Sequence, residues 1–152
     1  MSLNKTSSSA TLLMAVDGGQ NATQSSIEAR TITVLHLEDD QTIAELAKEM
    51  LEAQGWEVHA CTDGNAGLEH ISGPAHYDFL LFDCDVPGIN GLELVRRARR
   101  LIHRARTPIG VLSANPVEAE ARDAGADVFL RKPQDIVSIV ETITRLLSQG
   151  QN

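Results

Sequence analysis

Only two cysteines, Cys61 and Cys84, occur in the 152 residues, and they form no Cys-x-x-Cys pair. That excludes a disulfide framework and gives no support to a zinc site. Positive charge is also scarce: 13 Lys and Arg stand against 21 Asp and Glu, a formal net charge of -8 at pH 7. The imbalance disfavours nonspecific attraction to nucleic acid or to an anionic membrane, and points to small or protein partners. No apolar run approaches the roughly 20 residues that a membrane-spanning helix needs. The most signal-like stretch, Ala10 to Val16 behind Lys5, is ended by Asp17-Gly18-Gly19 without a small-residue cleavage site. The expected location is the cytoplasm, where the sequons at Asn4 and Asn21 carry no glycan.

What the sequence does hold is a series of short apolar runs that end in reactive side chains. Ile32 to Leu37 runs into Glu38-Asp39-Asp40, and Tyr77 to Phe82 into Asp83-Cys84-Asp85. Pro108 to Leu112 runs into Ser113, and Asp127 to Leu130 into Arg131-Lys132-Pro133. Between them lie segments with apolar residues at helical spacing. Ile43, Leu46, Ala47, Met50 and Leu51 form the first such stripe, and Ile136, Ile139, Val140, Ile143, Leu146 and Leu147 the last. Strands are expected at 31–37, 56–60, 77–82, 107–112 and 126–130. Helices are expected at about 43–53, 63–71, 90–104, 117–124 and 134–148. Residues 1–30, rich in Ser, Thr, Asn, Gln and Gly without a period, read as a disordered N-terminal arm. Five strands alternating with five helices imply one α/β domain, a parallel sheet with helices on both faces. Ligands of such a sheet gather beyond the carboxyl ends of its strands.

Glu38, Asp39 and Asp83 would then converge, and three close carboxylates call for a divalent cation. Magnesium suits them, because it takes hard oxygen ligands and keeps open positions for phosphate. An Asp nucleophile can form an acyl phosphate. Lys132 and Ser113 could stabilise the charge that builds on the phosphoryl oxygens during transfer.

In this order the residues resemble the receiver domain of two-component response regulators, over about residues 31–149. The resemblance implies a flavodoxin-like, doubly wound sheet of order 2-1-3-4-5. It implies Asp83 as phosphoacceptor, Asp39 as direct magnesium ligand, Glu38 acting mainly through water, and Asp85 lending a backbone carbonyl. Ser113, followed by Ala114, matches the family's hydroxyl position, and Lys132-Pro133 its Lys-Pro pair, with a cis peptide bond implied. Phe129 falls at the aromatic switch position, where it also reads as core. A histidine kinase or phosphotransfer protein would supply the phosphoryl group in a phosphorelay. Because no effector domain follows the last helix in this sequence, the expectation is a stand-alone receiver without enzymatic turnover of a substrate. It would act on an unidentified downstream protein or through a homodimer. Two departures stand out. Only twelve steps separate Ser113 from Gly125, which shortens the loop and helix between them, and Asp85 and Asn115 occupy positions that influence phosphate loss in the family.

Plainer readings stand beside these. Asp40, Asp63 and Asn90 read as helix caps. His36, His59, His70, His76 and His103 lack metal-ligand spacing and take surface or packing roles. Cys84 reads as a small buried side chain. The basic stretch Arg96, Arg97, Arg99, Arg100, Arg104 and Arg106 reads as a solvated face, with a docking patch as the alternative. Two rival functions remain. Phe82-Asp83-Cys84-Asp85-Val86 is similar to the nucleophile motif of haloacid-dehalogenase-type phosphohydrolases, although the acidic pair lies upstream. A degenerate receiver would serve only as a protein-binding module.

Overall fold

Five short runs in which Leu, Val and Phe predominate build the sheet, and the computed structural model describes residues 30–150. The strands are β1 (Thr33–Leu37), β2 (Glu57–Cys61), β3 (Phe79–Asp83), β4 (Ile109–Ser113) and β5 (Val128–Arg131). All neighbours pair in parallel, in the order β2-β1-β3-β4-β5. The helices are α1 (Gln41–Glu52), α2 (Gly64–Ser72), α3 (Gly91–Arg100), α4 (Glu118–Ala124) and α5 (Ile139–Gly150), the last preceded by a 3-10 turn over Ile136–Ser138. The expected arm over residues 1–30 lies, apart from Arg30, outside the described residues.

Alternation along each strand divides the core in two. Leu35, Leu37, Leu80, Phe82, Ile109 and Val111 face α2, α3 and α4, where Ile71, Leu94, Val95, Ala98 and Ala121 meet them. Val34, Phe79, Leu81, Leu112 and Leu130 face α1 and α5, packing on Ala47, Leu51, Ile139 and Ile143. Both faces of the three central strands are therefore dry, and this is why their sequences are mostly apolar, with His36 on β1 a buried exception.

Short polar side chains cap the starts of α1, α2 and α3, whereas α4 follows Val117 without a side-chain cap. Asp40 accepts from Ile43 N at 3.1 Å, Asp63 from Ala66 N at 3.0 Å, and Asn90 from Glu93 N at 2.9 Å. The expected span of α3 is corrected: the helix stops at Arg100, short of Arg104, and Leu101 turns extended. Two arginines account for the difference. Arg99 donates to the carbonyls of Thr107 and Ala105 at 2.7 and 3.2 Å, to Gly125 O at 2.9 Å, and to Asp127 Oδ2 at 2.7 Å. Arg104 is 2% exposed, and donates to the carbonyls of Ile71, His70 and Gly73 at 2.9, 3.2 and 3.1 Å. Its guanidinium also lies 4.8 Å from the centre of the Tyr77 ring. Of the six basic residues read as one solvated face, Arg104 is internal and Arg99 is a brace.

Among the described residues no helix is long and apolar enough to cross a membrane.

Candidate phosphoryl and metal site

The last ladder bonds of the sheet set the reactive residues on one rim. Glu38 N donates to Cys61 O at 3.0 Å, Cys84 N to Leu112 O at 2.9 Å, and Lys132 N to Ser113 O at 3.0 Å. The backbone beside each side chain is thereby fixed by a neighbouring strand. Asp83 pairs in register with Leu112, and Ser113 with Arg131. The sheet therefore brings Glu38, Asp39, Asp83, Ser113 and Lys132 to one end.

Lys132 Nζ approaches Glu38 Oε1 at 2.8 Å and Asp83 Oδ2 at 3.1 Å. Glu38 and Asp83 are almost wholly buried, at 1% and 3% exposure, whereas Asp39 is exposed at the rim. Backbone donors hold the two buried acids: Asp40 N reaches Glu38 Oε2 at 3.1 Å and Asp85 N reaches Asp83 Oδ1 at 3.1 Å. Burial, with Asp83 close by, pushes the Glu38 carboxyl up to about 7 despite its bonds to Lys132. Burial pulls on Lys132 in the opposite sense, but the Glu38 and Asp83 carboxylates outweigh it and raise its pKa.

One oxygen from each of Glu38, Asp39 and Asp83 lies within 4.8 Å of the other two. In a magnesium octahedron with bonds of 2.0–2.1 Å, ligand oxygens stand about 2.9 Å apart as neighbours and about 4.2 Å apart across the ion. The three carboxylates stand on a slightly wider scale, which suits an ion that reaches one of them through water. They line an open cleft of about 420 Å³ together with Asp85, Lys132 and Pro133. Hard oxygen donors, one solvent-facing, suit an ion that keeps several waters.

Ser113 is fully buried, and its Oγ accepts from Asn115 N at 3.0 Å. Asp85, exposed, accepts from Asn115 Nδ2 at 3.0 Å and lies 3.5 Å from Ser113 Oγ through the same Oδ2. The Lys132–Pro133 peptide bond is cis, and Asp135 closes the turn after it by accepting from Arg131 N at 2.8 Å. Phe129, on β5, is half-buried against the core on the α2–α4 side. Burial, with Asp85 and Asp83 nearby, pushes the Cys84 thiol up, so it stays protonated and packs as a small apolar group.

His36 is the residue of this region that sequence reasoning undervalued. It lies on β1 two positions before Glu38, is 1% exposed, and its Nε2 has no hydrogen-bond partner among the described residues. Burial and the charge of Lys132 bring its pKa down to about 4, so the ring is neutral. Its place inside a mostly apolar strand was the available signal.

The comparisons with known proteins agree with this architecture. The model of the response regulator receiver domain matches residues 34–144. The chain is 33% identical over 117 residues to the response regulator ArlR of Staphylococcus saprophyticus, covering 75% of this chain and 51% of that protein. It is 36% identical to the transcriptional regulatory protein CseB of Streptomyces avermitilis, covering 75% and 48% respectively. The chain thus spans about half the length of these curated relatives. Among solved structures, a CheY-like response regulator receiver domain protein from Methanospirillum hungatei superposes with a TM-score of 0.74 at 26% identity, covering 80% of this chain and 98% of that one. The receiver domain of the Francisella response regulator 1452 superposes with a TM-score of 0.72 at 27% identity, covering 79% and 99%. A family model that spans most of the described residues, joined to the same sheet order, leads to one conclusion: this chain belongs to the response regulator receiver domain family.

Proposed function

We propose that the chain takes a phosphoryl group onto Asp83 from the phosphohistidine of a histidine kinase or phosphotransfer protein. The donor's N–P bond breaks, an O–P bond to an Asp83 carboxylate oxygen forms, and the freed imidazole nitrogen picks up a proton. The observation that carries this reading is the position of Lys132, whose ammonium touches Glu38 and Asp83 at once. Asp39, Asp83 and the backbone carbonyl of Asp85 would hold magnesium, with Glu38 acting through water. The ion would supply positive charge to the phosphoryl oxygens. Lys132 neutralises the same oxygens from the β5 side, and the Ser113 hydroxyl donates to one of them.

Ser113 and Phe129 form the switch in this reading. Ser113 moves toward the phosphoryl group, Phe129 turns into the space it leaves, and the surface of α4, β5 and α5 changes. Output passes through a protein that binds that surface, or through a second copy of the chain. Asp85, which sits where the phosphohydrolase motif has its acid, is bonded to Asn115 instead. Steady turnover of an aryl phosphate would favour the phosphohydrolase, and its absence is expected.

The test is a calorimetric titration with beryllofluoride. One equivalent should bind only when magnesium is present, and Asp83→Ala should abolish binding. A folded parent chain that binds neither ion would instead be an interaction module without phosphoryl chemistry.

A further inference from the structure

One hydrogen-bond donor at the start of the β4–α4 loop is already taken by a carboxylate, and a second lies beside it. Asn115 Nδ2 donates to Asp85 Oδ2 at 3.0 Å, and Ser113 Oγ lies 3.5 Å from that same oxygen. Asn115 N donates to Ser113 Oγ at 3.0 Å, which turns the hydroxyl proton away from its own loop. The Asp85 backbone in turn donates to Asp83 Oδ1 at 3.1 Å, so the carboxylate holding the Asn115 amide belongs to the residue that touches the acceptor acid.

A carboxylate oxygen and a phosphoryl oxygen are ligands of the same kind, anionic acceptors that favour strong N–H and O–H donors. We infer that Asp85 is an internal stand-in for the phosphoryl group. It holds Asn115 in the unphosphorylated chain and gives it up when Asp83 is modified, which makes Asn115 a second phosphoryl-binding residue beside Ser113. The inference rests on the phosphoacceptor reading of Asp83 and adds a competitor to it. The Asn115 amide that donates to Asp85 at 3.0 Å must leave it to donate to a phosphoryl oxygen. A phosphoryl group on Asp83 also repels the Asp85 carboxylate. Because Asp85 is exposed, the released side chain turns into water without burying its charge.

Competition and simple repulsion both make Asp85→Ala bind a phosphoryl analogue more tightly, but only competition depends on Asn115. The test is a double-mutant cycle on magnesium-dependent beryllofluoride affinity, using the parent chain, D85A, N115A and the double variant. D85A should bind about threefold to tenfold more tightly than the parent, the range expected for freeing one hydrogen bond at an exposed site. N115A should bind more weakly than the parent, and in its background the gain from D85A should shrink to the share that repulsion supplies. An equal gain in both backgrounds, or weaker binding by D85A, overturns the stand-in while leaving the phosphoacceptor reading intact. A folded parent chain that binds no beryllofluoride overturns both.

Discussion

Lys132 Nζ stands 2.8 Å from Glu38 Oε1 and 3.1 Å from Asp83 Oδ2, so one ammonium after β5 holds together the acids that β1 and β3 deliver. Replacing it by Met keeps the apolar stem and removes the charge. Lys132→Met should slow phosphoryl uptake by about a hundredfold, the usual cost of losing one preorganised electrostatic contact to a developing anion. The initial rate of modification by acetyl phosphate at saturating magnesium measures it, and a rate within a few fold of the parent would remove Lys132 from the chemistry.

Glu38 and His36 should give the metal-free chain opposing pH dependences. Glu38 titrates at about 7 in the folded chain against an ordinary 4.5, so the folded state binds its proton more tightly. Its contribution is full below pH 4.5 and is lost as pH rises through 7. His36 falls from 6.5 to about 4, so its contribution is present above pH 6.5 and is lost as pH falls through 4. The His36 shift corresponds to about 3 kcal/mol. In urea titrations from pH 4 to 7, His36→Leu should leave a stability that declines as pH rises, and Glu38→Gln one that increases. Identical profiles for the two variants would contradict both assignments.

Magnesium should compete with the Glu38 proton. Its affinity is expected to rise between pH 6 and 8, with proton release on binding at pH 6.5. Calorimetry in two buffers of different ionisation enthalpy reads the released proton directly. Glu38→Gln should abolish the release, and release that persists in that variant would place the proton elsewhere.

Arg104 should matter far more than its basic neighbours. Arg104→Leu leaves carbonyls at the end of α2 without their donor and is expected to cost about 3 kcal/mol. Arg96 pairs with Glu93 at 3.2 Å on an exposed surface, and Arg96→Ala should cost less than about 0.5 kcal/mol. Urea unfolding followed by the single Trp56 compares the two.

The contrast between those arginines shows what the sequence could and could not reveal. The sheet was legible because a strand buried on both faces is mostly apolar, and the reactive ends were legible because each interrupts such a run. Glu38, Asp83, Ser113 and Lys132 share that signature. The end of α3 was not legible, because Arg104 suits a helix locally but is bonded to Ile71, 33 residues away in sequence, while Arg99, still helical, is bonded to Gly125 and Asp127, 26 and 28 residues away. The Asp85–Asn115 contact spans 30 residues between two loops and leaves no periodic trace. The caps at Asp40, Asp63 and Asn90 were readable because each bond reaches only three residues ahead.

Intact mass after incubation with acetyl phosphate and magnesium tests the central claim most directly. The account predicts one added phosphoryl group, dependent on magnesium, labile to hydroxylamine as an acyl phosphate is, and absent from Asp83→Ala. A folded parent chain that gains no mass under these conditions, or an Asp83→Ala variant that gains as much, would contradict it.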